Sequence, residues 1–141
     1  ASSSGSASAT HAADDSLIAR TMIEEGLTAM GLPYIMCKTG KEAWDQLQTI
    51  STKEQAEGRT AGDRIALVLT DLEMPEMDGF TLTRNIKQDP RFSSIPVVIH
   101  SSLTGSANEA HVKKVGADAY VAKFVAEDLA NALRQVLHTV H

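Results

Sequence analysis

The sequence predicts an α/β fold, a parallel sheet with helices on both faces. Short apolar runs alternate along the chain with longer segments of helical periodicity, the pattern of repeated βαβ units. Two of these runs, Ile65 to Thr70 (IALVLT) and Pro96 to His100 (PVVIH), are apolar almost without a break, as strands covered on both faces must be. Acids, hydroxyls or an amine follow four of the five strand candidates at their carboxyl ends, which is where open parallel sheets bind ligands.

The elements follow in order. Residues 1–8 (ASSSGSAS) are small and polar and are read as a linker or an appended remnant; the domain is expected over 9–141. The first strand has to be Ala9 to Ala13 (ATHAA), and it is the weak point, because alanine and small polar residues make a poor interior strand. Either it packs loosely or the natural sequence has been altered there. Ser16 to Met30 is helical, with Leu17, Ile18, Met22, Ile23 and Leu27 at helical spacing and Gly31 as a stop. Leu32 to Lys38 is the second strand. Thr39-Gly-Lys-Glu42 has the form of a capping box and opens a helix carrying Ala43, Trp44, Leu47 and Ile50. Glu57 to Arg64 is a polar loop. Ile65 to Thr70 is the third strand, and Asp71 follows at once. A turn with Pro75 and Gly79 leads into a helix from Phe80 to Lys87. Pro96 to His100 is the fourth strand, Asn108 to Val115 a short helix stopped by Gly116, and Ala119 to Ala122 the fifth strand. Glu127 to Thr139 is the last helix, with Leu129, Leu133, Val136 and Leu137 on one face.

Composition narrows the function classes. The 141 residues suit one domain, and 43% hydrophobic with 22% charged residues is an ordinary globular balance. The net charge of −5 and scattered basic residues argue against a nucleic-acid face. The single cysteine, Cys37, permits no intrachain disulfide, and no apolar run is long enough to cross a bilayer. With no signal-peptide pattern at the start, the expected location is cytoplasmic.

The carboxyl ends of the strands deliver Asp14 and Asp15, then Asp71, then Ser101 and Ser102, and finally Lys123. Three carboxylates in one pocket repel, and a cation relieves the repulsion. Oxygen ligands in modest number suit Mg²⁺. Beside it a carboxylate stays ionised and can act as a nucleophile, forming an aspartyl phosphate. An amine and a hydroxyl then stabilise the charge of the transferred group.

At these residues the sequence resembles the response-regulator receiver family. The segments that carry the resemblance are Ala13-Asp-Asp-Ser16, Leu69-Thr-Asp-Leu-Glu-Met-Pro-Glu-Met-Asp-Gly79 and Gly116-Ala-Asp-Ala-Tyr-Val-Ala-Lys123. The resemblance implies a doubly wound five-stranded sheet of order 2-1-3-4-5. It implies Asp71 as phosphoacceptor, Asp15 and Asp71 as direct Mg²⁺ ligands, Asp14 acting through a metal-bound water, and the Glu73 backbone carbonyl as a further ligand. Ser101 would donate to the phosphoryl group, Lys123 would pair with it, and Tyr120 matches the aromatic that reports the switch. Most receivers carry proline after the lysine, and here Phe124 stands there. The segments His100 to Glu109 and Val121 to Phe124 are similar to the receiver half of CheV-type chemotaxis coupling proteins. That likeness implies phosphorylation by a CheA-like histidine kinase and contact with chemoreceptors through a CheW-like domain that this chain lacks. The chain is then a phosphorylation switch rather than an enzyme.

Other readings have weaker support. The receiver of a DNA-binding regulator would share every motif above. A Mg²⁺-dependent aspartyl-nucleophile phosphatase usually shows Asp-x-Asp, and here Glu73 takes the second place. Asp14 and Asp15 alone would be a helix N-terminus. Asp78-Gly79 is a plain turn signal. Cys37 and Trp44 are read as packing, as are Met74 and Met77. Tyr120 fits core and switch equally. Strand alternation turns His100 to the side opposite Ser101, and no chemistry is assigned to it.

Overall fold

The computed structural model describes residues 8–101, 106–122 and 125–140. In chain order it contains β1 (Ala9–Ala13), α1 (Leu17–Ala29), β2 (Tyr34–Cys37), α2 (Gly40–Ala56), β3 (Ile65–Asp71), α3 (Gly79–Gln88), β4 (Val97–Ser101), α4 (Ser106–Val115), β5 (Ala119–Ala122) and α5 (Ala126–Val140). All the pairings are parallel, in the order β2-β1-β3-β4-β5. The alternation of elements predicts the parallel sheet with helices on both faces, and the strand order is the one the resemblance implies.

Each face of the sheet carries its own core. Ala12, Leu67, Leu69, Val98 and Val121 pack against Ile23 and Leu27 of α1 and Leu129, Leu133 and Val136 of α5. Ala13, Ile65, Val68, Val97 and Ile99 pack against Ala43 and Leu47 of α2, Leu82 and Ile86 of α3, and Val112 of α4. Each fully buried leucine, isoleucine or valine among them contributes about 1.5–3 kcal/mol relative to exposure. Trp44 is helix packing, as expected: its ring meets Phe92 edge-on at 5.4 Å. Cys37 is a buried core residue, and burial pushes its thiol up to about 11, so it stays protonated and unreactive.

The weak first strand does form, and it is not loosely packed. β1 lies between β2 and β3, and Thr10 to Ala13 are each at most 1% exposed. Burial on both faces overrides the poor intrinsic preference of alanine. His11 sits in this strand, 1% exposed, and its ring lines a cavity of about 260 Å³ beside Gln46, Ile50, Lys53 and Glu54 of α2 and Arg64. Neither of its ring nitrogens has a hydrogen-bond partner among the described residues. Burial pulls its pKa down to about 4.

Two local expectations change. In α1 the buried stripe is Ala19, Ile23 and Leu27, while Leu17 and Ile18 are exposed. The 3.6-residue period puts 17 and 18 off the i, i+4, i+8 line that faces the sheet. The polar loop before β3 contains a 3₁₀ turn, Ala61–Asp63, closed by the Thr60 amide donating to the Asp63 carboxylate at 3.1 Å. At the expected capping box Thr39 accepts from the Glu42 amide at 3.1 Å, and Ser16, read as the first helical residue, is the N-cap of α1, accepting from the Ala19 amide at 3.5 Å. Such caps are each worth about 1 kcal/mol.

Candidate functional site

Strand alternation decides which side chains meet at the carboxyl edge. Ala12 faces the α1–α5 layer, so the next position on that row is Asp14. Leu67 and Leu69 face the same layer, and their row ends in Asp71; Val98 faces it too, and its row ends in His100. Register completes the arrangement, because Asp71 of β3 pairs with His100 of β4. One ligand atom from each of Asp14, Asp71 and His100 therefore falls within 4.8 Å of the others, and all three side chains are buried.

His100 was the residue that sequence reasoning passed over. Alternation does turn it away from Ser101, but that is the side on which the acids lie. Its Nε2 stands 3.5 Å from the Asp14 carboxylate. The signal was present in the equal apolar spacing of the third and fourth strands. It was unreadable because both strands are apolar on both faces, which hides which row meets which helix layer.

Local hydrogen bonds hold the acids in place. The Asp14 amide donates to the Cys37 carbonyl at 3.1 Å, extending the β1–β2 ladder past the strand end. Its carboxylate accepts from the Ser16 amide at 2.7 Å, and its carbonyl accepts from Arg20 Nη1 at 3.0 Å. After Asp71 the Leu72 amide donates to the His100 carbonyl, and the Gly79 amide returns to the Leu72 carbonyl, both at 3.0 Å. The intervening turn includes Glu76 with φ of 69°. Gly79 is required by close approach: a Cβ there would collide with the Asp71 carbonyl oxygen and lie 3.0 Å from the Leu72 Cα. Asp78 takes the N-cap of α3, accepting from the Thr81 amide at 2.7 Å.

Beside the buried trio opens a cleft of about 670 Å³, lined by Asp15, Leu72, Glu73, Met74, Pro75, Asp78 and Phe80. Asp15 and Glu73 are thus at its wall and exposed, whereas Asp14 and Asp71 lie beneath the surface. Ser101 ends β4 at 1% exposure, on the row of Val97 and Ile99 that faces α2, α3 and α4. Tyr120 is half-buried against that same core layer. Met74 and Met77 also pack there, as expected. Lys123 and Phe124 lie outside the described residues.

Chemically, two buried carboxylates this close disfavour joint ionisation unless a positive charge sits among them. The oxygen atoms of Asp14 and Asp71, with Asp15 and Glu73 at the adjoining wall, fit a divalent cation: the set is hard and mostly oxygen.

Residues 11–134 match the family described as the response regulator receiver domain. The chain is 30% identical over 124 residues to chemotaxis protein CheV3 of Helicobacter pylori, covering 88% of this chain and 39% of that protein. It therefore spans well under half the length of that relative. Against chemotaxis protein CheY1 of the same organism it is 30% identical, covering 89% of this chain and 94% of that one. Among solved structures, the chemotaxis response regulator CheY4 of Vibrio cholerae superposes with a TM-score of 0.76 at 23% identity, covering 92% of this chain and 98% of that one, a likeness of fold.

Proposed function

Because this chain belongs to the response regulator receiver family, we propose that it is a phosphorylation switch whose phosphoacceptor is Asp71. The observation that carries the reading is the buried meeting of Asp14 and Asp71 at the carboxyl edge, beside a cleft with Asp15 and Glu73 on its wall. An Asp71 oxygen attacks the phosphorus of a kinase phosphohistidine. The P–N bond breaks, the imidazole leaves with the electron pair and takes up a proton, and an acyl phosphate remains on Asp71. Asp14, Asp15, Asp71 and the Glu73 carbonyl would hold Mg²⁺, which supplies positive charge for the developing phosphoryl oxygens. Ser101, at the end of β4, donates to one of those oxygens, and Lys123, by its place in the family motif, neutralises another.

Ser101 lies on the row facing α3 and α4, the opposite face from Asp71. A shift of Ser101 toward a phosphoryl group would thus reach the second helix layer, and Tyr120, packed in that layer, would follow it. The similarity to CheV3 and CheY1 supports a chemotaxis setting, with a CheA-like histidine kinase as donor. Contact with chemoreceptors would run through a further CheW-like domain of the longer protein.

The test is incubation with Mg²⁺ and acetyl phosphate followed by intact mass. One labile adduct is expected on the unaltered chain and none on Asp71→Asn. An adduct that persists in the variant moves the acceptor elsewhere.

A further inference from the structure

The receiver reading accounts for the acids at the carboxyl edge and leaves His100 without a role. His100 is 3% exposed, in register with Asp71, and aimed into the same pocket. Mg²⁺ selects oxygen ligands, whereas an imidazole nitrogen favours borderline cations such as Zn²⁺.

We propose, resting on that reading of the pocket, that His100 is a third protein ligand beside Asp14 and Asp71, making a mixed nitrogen–oxygen site that takes Zn²⁺ in preference to Mg²⁺. The spacing is suitable. Zinc bonds to nitrogen and oxygen run about 2.0–2.1 Å, so two ligand atoms on one tetrahedral ion stand about 3.4 Å apart. His100 Nε2 and the Asp14 oxygen are 3.5 Å apart, and the full trio lies within 4.8 Å. Three protein ligands also leave a fourth position of a tetrahedral ion unfilled by protein, the pattern of zinc sites that keep an exchangeable ligand. Zn²⁺ held there engages Asp71, so it competes with Mg²⁺ and withholds the nucleophile from phosphoryl transfer.

The experiment is calorimetric titration of the full chain with Zn²⁺ and, separately, Mg²⁺, repeated on His100→Val and His100→Gln with circular dichroism as the folding control. The expected result is a loss of at least tenfold in Zn²⁺ affinity in both variants, with Mg²⁺ affinity changed less than twofold. Zn²⁺ affinity within twofold of the unaltered chain overturns the proposal. A parallel loss of both metals also overturns it, because His100 would then only hold Asp14 in place. Should neither variant fold, ¹⁵N spectra of the unaltered chain decide: the His100 Nε2 resonance moves on adding one equivalent of Zn²⁺, or the proposal fails. The spectra also separate His100 from surface histidines such as His111. Acetyl phosphate labelling in Mg²⁺ alone keeps the two readings apart. A labelled protein without zinc preference sinks this proposal only, and an unlabelled one sinks the receiver reading.

Discussion

Replacing His11 by leucine is expected to flatten the pH dependence of stability between about pH 7 and pH 4. Burial holds the imidazole at about 4 in the native fold, against 6.5 for the free side chain. Over that window the unfolded chain binds a proton that the folded chain refuses, so acid favours unfolding. The native pKa is the depressed one. The stability it represents is therefore complete above about pH 6.5 and is lost as pH falls toward 4. A gap of about 2.5 pH units, at 1.36 kcal/mol each, amounts to about 3 kcal/mol, a large part of a typical domain's total. The charged neighbours around the cavity, Lys53, Glu54, Glu57 and Arg64, remain in the variant, so the difference between the two curves isolates His11. Urea unfolding followed by Trp44 fluorescence across the window measures both. Curves that stay parallel as pH falls would refute the argument, because the ring would then be protonated equally in both states.

Two further perturbations test the packing. Gly79→Ala forces a Cβ against the Asp71 carbonyl oxygen, and backbone cannot yield as a side-chain tip can. A loss of about 2–3 kcal/mol in urea unfolding is expected, together with weaker acetyl phosphate labelling of Asp71. Phe92→Ala removes a fully buried ring and the edge-on partner of Trp44, so a loss of about 3–5 kcal/mol with a changed Trp44 emission is expected. An unchanged emission would place Trp44 elsewhere.

The architecture was legible because buried parallel strands leave unbroken apolar runs in a chain and amphipathic helices leave a 3.6-residue period. The third strand, read as Ile65 to Thr70, and the fourth, read as Pro96 to His100, were recognisable from apolar content alone. β1 was legible only by default, since Ala9 to Ala13 has no strand preference of its own and is held by burial on both faces. The carboxyl-edge rule brought Asp14, Asp71 and Ser101 to the same rim, but it does not say which face each side chain takes. That is why His100 was passed over, and why Leu17 and Ile18, named among the apolar residues at helical spacing in α1, turn out exposed. Facing depends on which helix covers which row, a tertiary fact that a doubly apolar strand does not encode.

The parallel topology also sets where the two ends of the described chain lie. β1 begins at the amino edge of the sheet, and α5, returning after β5, finishes at that same pole. Ser8 is tied there by its hydroxyl donating to the Asp63 carbonyl at 3.0 Å. The acids occupy the other pole. The described chain thus enters and leaves the fold at the pole remote from Asp71.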